Sequence, residues 1–414
     1  MSAHHRIVIV GGGLAAARAA ESVRRESVDA SVTVVAAEAR PPYERPPLSK
    51  GYLLGSDDAA STIPLDSAWY AAQDITLRTG IEATELDTAA HTVRAGDETL
   101  SYDRLLLATG ASPRHFTGPG ASLTGVYTLR TLHDSTVLRT AIARGGRRVV
   151  VIGSGWIGLE VAAAAVTYGN TVTVVGHGSI PLESAVGPVI GEVFAELHRA
   201  NGVDLRMDAA VTAIRGSGGG SGHVNGVVLG PGEELDADLV VVGIGATPNT
   251  TLAAASGITV DNGIVTDAGL RTSAPDVFAA GDVANAYHPV LGRRLRVEHW
   301  ANADKQGAAA GRALAGVDVE YAEIPYFFTD QFDLGMEYSG YGTLAAGGDL
   351  VVRGDLAARE FVAFWLRDRH VVAGMNVNVW DVNESVQKLI RAGVRVDPVA
   401  LADPGVALDS LIAP

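Results

Sequence analysis

The chain has 414 residues, of which 47% are hydrophobic and 19% charged, with a net charge of −15 and no cysteine. That length exceeds the roughly 250–300 residues that one core serves, so two or three domains are expected. The negative charge argues against nucleic acid as a partner, and no apolar run approaches the ~20 residues of a membrane span. Without cysteine there is no active-site disulfide, sulfenate or cysteine-ligated iron–sulfur cluster.

The first residues (MSAHHR) pass directly into an apolar run, leaving no room for a signal peptide, and a cytoplasmic location is expected. That run, residues 7–10 (IVIV), reads as a strand buried on both faces. Gly11, Gly12 and Gly13 break it, and an Ala-rich helix begins at Leu14. Together these form a dinucleotide-binding fingerprint: Gly11 allows the turn, Gly13 lets the backbone approach a pyrophosphate, and Ala16 replaces the third glycine. The free N–H groups of the helix start then face phosphate. Residues 32–35 (VTVV) read as the next strand, after which a ribose-binding acid is expected; Glu38 is the first carboxylate available. Residues 41–50 (PPYERPPLSK) carry four prolines, which argue against regular structure and for a rigid loop. One reading of this loop is a surface linker. The favoured one pairs Arg45 with pyrophosphate and sets Lys50 beside the electron-rich centre of a flavin, because both follow directly on a nucleotide unit.

The fingerprint has a twin. Residues 148–158 read RVVVIGSGWIG, where Gly153, Gly155 and Gly158 repeat Gly11, Gly13 and Ala16 at a constant offset of 142 residues. Two dinucleotides in one chain point to electron transfer between them. Glu160 falls in the first turns of the second helix, where a carboxylate near the positive helix end gains about 0.3–1 kcal/mol in any case. Residues 172–175 (VTVV) are followed by Gly176, His177 and Gly178, with neither the acid that favours NADH nor an arginine that would attract a 2′-phosphate. Residues 216–222 (GSGGGSG) read as a hairpin tip between strands at 211–214 and 224–229, and 238–245 as another buried strand. Asp282 follows a strand and a glycine, and a helix runs to Leu314. From about Tyr321 the composition becomes aromatic-rich, with alternating strands at 351–353 and 360–367, a helix at 384–392 and no nucleotide motif. Most of these aromatics read as core; Trp380, in the loop VNVWDVN, is a docking candidate.

The set GGGLAA, ERPPLSK, LLLATGASPR (105–114), VIGSGWIGLE, GIGATPN (243–249) and AAGDVA (279–284) resembles the FAD-dependent ferredoxin reductases of the putidaredoxin-reductase type. The resemblance implies an α/β protein with two Rossmann-like dinucleotide-binding domains, glutathione-reductase-like, plus a C-terminal α+β domain. Its expected boundaries are 1–113 with 246–320 for FAD, 114–245 for NAD(P)H and 321–414 for the C-terminal domain. It implies FAD contacts from Gly11, Gly13, Leu14, Ala15, Ala16, Arg45, Pro47 and Lys50. The family's ribose acid would fall at Ala37, so Glu38 is expected to reach the ribose from one residue later. Ala83 would line the adenine, Ala108, Thr109 and Gly110 would turn beneath the FAD, and Arg130 would meet its pyrophosphate. Gly281 and Asp282 would meet the ribityl chain, while Glu298, His299 and Trp300 would open the last helix with the Trp300 backbone on the flavin ring and its indole at the surface. The nucleotide contacts implied are Gly153, Gly155, Trp156, Ile157, Gly158, Gly176, His177, Gly243 and Gly245, with Glu160 beside the nicotinamide and close to Lys50. Lys50 and Glu160 are the residues expected at the reacting ring, and no metal is expected.

The implied reaction carries electrons from NADH, or NADPH, through FAD to a [2Fe–2S] ferredoxin. That ferredoxin would serve a haem-thiolate monooxygenase or a ring-hydroxylating oxygenase. Because ferredoxins are commonly acidic, a −15 chain needs a local basic patch, for which Arg293, Arg294, Arg296, Arg312, Arg391 and Arg395 are candidates. Rival readings are a rubredoxin or quinone reductase, a cysteine-free NADH oxidase, and a redox-sensing flavoprotein of the apoptosis-inducing-factor kind. With neither acid nor arginine after the second unit's strand, NADH is expected to be preferred only modestly. Steady-state kcat/KM values for the two nucleotides should differ by less than about 100-fold.

Overall fold

Branched apolar side chains with no polar face need cover on both sides, and Arg6–Val10 obtains it as the middle strand of a five-stranded parallel sheet. In the computed structural model, which describes residues 5–217 and 222–412, the order is Val277–Ala279, Arg104–Leu107, Arg6–Val10, Ser31–Ala36, Ile75–Thr79. The glycine turn leads into the helix Leu14–Glu26. A three-stranded antiparallel sheet, Ala83–Asp87, Thr92–Ala95 and Glu98–Ser101, intervenes before Arg104–Leu107. These segments belong to one compact unit formed by residues 1–45, 58–112 and 246–325.

The second unit, residues 46–57, 113–245 and 326–414, repeats this plan. Its parallel sheet runs Val126–Tyr127, Leu239–Val242, Arg148–Ile152, Thr171–Val175, Asp204–Arg206, the same sequence of roles with the glycine-turn strand central. Its antiparallel insertion is Val211–Ser217, His223–Leu229 and Glu234–Asp236. The first two strands pair as a hairpin, and of the Gly-rich tip residues 218–221 lie outside the described ones.

The same unit holds a five-stranded antiparallel sheet, ordered Tyr326–Gln331, Leu334–Gly340, His370–Val377, Glu360–Arg367, Asp349–Asp355. The strand Glu360–Arg367 is antiparallel as its pattern predicts, yet six consecutive residues are buried, so both of its faces are covered. The helix Asn383–Ala392 packs on the neighbouring strand, with Val386 over Gly374. Aromatic contacts, Trp156 edge-on to Phe327 and Phe327 tilted against Tyr338, tie this sheet to the second glycine-turn helix.

The proline-rich stretch corrects the expectation of an irregular loop. Pro46–Ser49 forms a 3₁₀ turn and Gly51–Leu54 a short helix. Proline is tolerated there because the first turn of a helix has no use for its missing N–H. The turn is pinned within its own unit: Ser135 Oγ donates to Leu48 O at 2.7 Å, and Arg139 donates to Tyr52 O at 3.0 Å.

In the first unit the helices Leu14–Glu26 and Trp300–Leu314 approach almost backbone to backbone. A Cβ on Gly307 would lie 2.4 Å from Ala15 O, and one on Gly311 2.4 Å from Ala19 O. Gly307→Ala should therefore destabilise this unit by about 1–3 kcal/mol, seen as a lower thermal midpoint. Gly342→Ala, where a Cβ meets nothing within 4 Å, should change stability by less than about 0.5 kcal/mol.

Candidate active site

Each glycine turn is fixed by a carbonyl beneath it. Gly11 has φ +150°, and a Cβ there would sit 2.1 Å from Ala108 O; Gly153 has φ +113°, and a Cβ would sit 2.2 Å from Gly243 O. No larger residue passes through either position. Gly13 and Gly155 stand at the N-caps of their helices with extended backbone and no side chain capping the first turn. A Cβ on either would meet nothing within 4 Å, so open space lies in front of uncapped N–H groups. Open space before free donors at a positive helix end is the shape of a phosphate cradle, and both turns fit a dinucleotide. Ala16 is fully buried against the first sheet; at Gly158 a Cβ would fall 2.1 Å from Gly153 O, so the second turn demands glycine where the first accepts alanine.

Around the first turn the structure gathers several of the residues singled out above. Ala37 is exposed, and Glu38 accepts hydrogen bonds from the Tyr43 hydroxyl and from Arg45 Nη2 at 3.1 Å. Arg45 thus has a carboxylate partner of its own. Thr109 Oγ1 donates to Asn249 O at 2.7 Å, and Asn249 Nδ2 returns a bond to Thr109 O, closing the turn that Gly110 completes at φ +70°. Gly281, at φ +79°, donates its N–H to Gln306 Oε1 at 2.8 Å, and a Cβ there would touch Ala15 at 3.0 Å. Asp282 lies in the 3₁₀ turn Gly281–Val283. Ala83 starts the strand Ala83–Asp87.

One expectation in this unit is corrected. The last helix begins at Trp300, with His299 as its N-cap and Glu298 outside it, bonded to Arg296. The Trp300 indole N–H is buried and has no hydrogen-bond partner, although the residue as a whole is half-buried. A buried donor left without a partner is costly, and it fits a polar group that the bound cofactor would bring. Of the candidate docking arginines, Arg296 is mostly buried on Glu298, whereas Arg312 is half exposed and pairs with Glu26 at 3.5 Å.

In the second unit Trp156 packs edge-on to Phe194 at 5.4 Å, whereas Ile157 is exposed. Gly245 has φ +98°. A Cβ on Gly176 would come within 2.4 Å of Ser154 Oγ and 2.8 Å of Met207 Cε, so those side chains crowd the position; His177 is exposed. Arg130 leads into the helix Leu132–Ile142, its backbone N–H donating to Asp134 at 3.1 Å.

The short turn Pro46–Ser49, Pro47 within it, delivers Lys50 to Glu160. Lys50 Nζ lies 2.8 Å from Glu160 Oε1, with side-chain exposures of 14% and 4%. Glu160 also accepts from the hydroxyls of Ser49 and Thr329, and Lys50 Nζ sits 5.3 Å from the centre of the Phe328 ring. Removing two charges from water costs several kcal/mol each, and such a pair persists only when its remaining oxygens are satisfied. Here both carboxylate oxygens are. Ser49 and Thr329 are contacts that the sequence reading missed. Ser49 lies inside the proline motif, but Thr329 is 169 residues from Glu160 and carries no local signal.

The family model described as pyridine nucleotide-disulphide oxidoreductase matches residues 5–307, and one described as reductase C-terminal matches residues 326–412. The chain belongs to the pyridine nucleotide-disulphide oxidoreductase family. Members of that family use FAD and NAD(P)H, and the chain is an oxidoreductase. It is 42% identical over 407 residues to the ferredoxin–NAD(+) reductase component of the anthranilate 1,2-dioxygenase system of Burkholderia cepacia, covering 98% of each chain. It is 36% identical over 419 residues to putidaredoxin reductase CamA of Pseudomonas putida, covering 100% of this chain and 98% of the relative. Its fold is similar to the covalent putidaredoxin reductase–putidaredoxin complex, with a TM-score of 0.94, 34% identity and 99% of each chain covered.

Enclosure of the His299 ring pushes its pKa down from 6.5 to about 4. The unfolded chain therefore takes up a proton that the folded chain refuses, and stability present above pH 6.5 is lost as pH falls toward 4. Burial gives His198 and His288 the same sign. His299→Gln should flatten that acid-side loss, read as a smaller drop in thermal midpoint between pH 7 and about 4.5.

Proposed function

We propose that this protein is an FAD-containing reductase that takes electrons from NADH, with NADPH as a weaker donor. We propose that it passes them to a [2Fe–2S] ferredoxin serving a haem-thiolate monooxygenase or a ring-hydroxylating oxygenase. The observation that carries this reading is the pair of uncapped glycine-turn helices in a chain with no cysteine. Two dinucleotides are cradled, and no thiol of the protein stands to receive the charge. The ferredoxin reductases among its relatives support the choice of acceptor.

On this reading residues 1–113 and 246–320 form the FAD domain, 114–245 the NAD(P)H domain and 321–414 the C-terminal domain. FAD, when bound, accepts hydride from the nicotinamide and releases electrons singly, and the chain supplies binding and electrostatics. The first glycine turn holds the FAD pyrophosphate, Glu38 accepts a ribose hydroxyl, and Asp282 accepts from the ribityl chain. The second turn holds the nicotinamide nucleotide. Lys50 sets a positive charge at the reacting ring, and Glu160 fixes its position. Glu183 would support a preference for NADH: its carboxylate accepts from Ser179 N and Oγ at 2.9 and 3.0 Å, which sets negative charge after the strand Thr171–Val175, and a 2′-phosphate held there would be repelled. Arg293 and Arg294, adjacent on the exposed strand Arg293–Leu295, are the proposed contacts for an acidic ferredoxin. A cytoplasmic location goes with this reading; among the described residues no helix is long and apolar enough to cross a membrane.

The test mixes the yellow protein with NADH without air, follows flavin bleaching, and then adds ferredoxin, rubredoxin, a quinone or oxygen in turn. Rapid bleaching and rapid ferredoxin reduction are expected, and ferredoxin reduction should slow with added salt while flavin reduction does not. A flavin that stays oxidised overturns the reading. Preference for another acceptor reassigns the partner, and a salt-independent rate discards the arginine contact.

A further inference from the structure

Glu160 is the end of a longer buried chain of polar groups. Thr329, in the strand Tyr326–Gln331, donates its hydroxyl to Glu160 Oε1. Thr329 Oγ1 lies 3.1 Å from Gln331 Nε2, and Gln331 Oε1 lies 2.8 Å from Nε2 of His198 on the helix Glu183–Ala200. All four residues are buried, with exposures of 4% for Glu160, 1% for Thr329 and Gln331, and 0% for His198. His198 Nδ1 has no hydrogen-bond partner. The sequence reading assigned no role to Thr329, Gln331 or His198.

Hydrogen-bond chemistry allows this chain one polarity. Glu160 faces Lys50 at 2.8 Å and is an acceptor only. The single proton of the Thr329 hydroxyl must therefore point at Glu160, which leaves Thr329 as an acceptor toward Gln331. Gln331 must then present its NH₂ to Thr329 and its carbonyl oxygen to His198. That oxygen requires an N–H from His198, so the proton of the neutral imidazole is on Nε2 and Nδ1 is bare. Burial holds His198 below its ordinary pKa, in keeping with a neutral ring that carries only that proton. Every donor along the line points toward Glu160.

We propose that Gln331 and Thr329 are positioning residues for electron transfer from the nicotinamide. Anchored by His198, they hold the Glu160 carboxylate, and through it the Lys50 ammonium, in one geometry. The strand that supplies them also sets Phe328 against Lys50. The C-terminal sheet would thereby act on the charge pair from within the fold, in addition to any part it has in docking. This inference rests on the reading that Lys50 and Glu160 attend the reacting ring.

The test uses the flavin-loaded full chain. Nitrogen NMR of His198 should show the Nε2–H tautomer in the wild type and also in Glu160→Gln, whose carbonyl oxygen must keep the position facing Lys50 and there still accepts from Thr329. Stopped-flow reduction by NADH should show the limiting rate of Gln331→Met and Thr329→Val falling about tenfold while nucleotide affinity stays within about twofold, and Thr329→Ser should keep the wild-type rate. A wild-type Nδ1–H tautomer overturns the polarity. Limiting rates within about twofold of wild type for both Gln331→Met and Thr329→Val overturn the positioning role. A wild-type rate in Glu160→Gln overturns instead the placement of the charge pair at the reacting ring, a result separable from the tautomer.

Discussion

Two carbonyl oxygens, those of Ala108 and Gly243, lie so close beneath the glycine turns that a single added carbon would collide with them. Everything the two nucleotide units do follows from that proximity. It brings the end of one strand against the turn that follows its neighbour, and so aims an uncapped helix at empty space. A side chain at either point would push the helix away from the sheet and spoil the alignment of its donors. The close packing continues at Gly307 and Gly311, where the last helix of the first unit rests on the backbone of the first. Small residues are used here for approach more than for flexibility.

Against these apolar frames the pair Lys50–Glu160 is an expensive feature. A buried ion pair adds little to stability by comparison with apolar side chains of the same volume, and stripping one partner costs about 3–5 kcal/mol. Its retention, with Ser49 and Thr329 satisfying the carboxylate, is better understood as the maintenance of a fixed dipole than as a structural brace. Phe328 extends that logic by giving the ammonium an aromatic face.

How far the molecule was legible depends on whether its signals are local. The α/β class and the twin nucleotide units could be read because each fingerprint is a contiguous run of strand, glycine and helix whose physics is complete within a dozen residues. The bounds of Ser31–Ala36 and Thr171–Val175 extend the anticipated strands by a residue or so at their ends. The 3₁₀ turn at Pro46–Ser49 escaped because proline was weighed as a breaker, although at the first positions of a turn it is an initiator. Glycine at position 176 reads as a missing acid, and only the fold brings Ser154 and Met207 close enough to crowd it. Thr329 and Gln331 were invisible for a different reason. Their partners come from helices more than a hundred residues away, and a threonine in a strand is common enough to attract no notice.

The way the chain alternates between its two compact units bears on how it is made. Residues 46–57 leave the first unit only for the chain to return at 58, and that unit is not complete until residues 246–325 have been added. Its central strand Arg6–Val10 has Arg104–Leu107 as a partner, which in turn waits for Val277–Ala279. A nascent chain emerging from the ribosome therefore carries an unfinished parallel sheet, with apolar edges exposed, through most of its synthesis. Non-local strand pairing of this kind is slow and exposes surface that can aggregate. The order in which the strands leave the ribosome thus leaves this sheet waiting on its last partner.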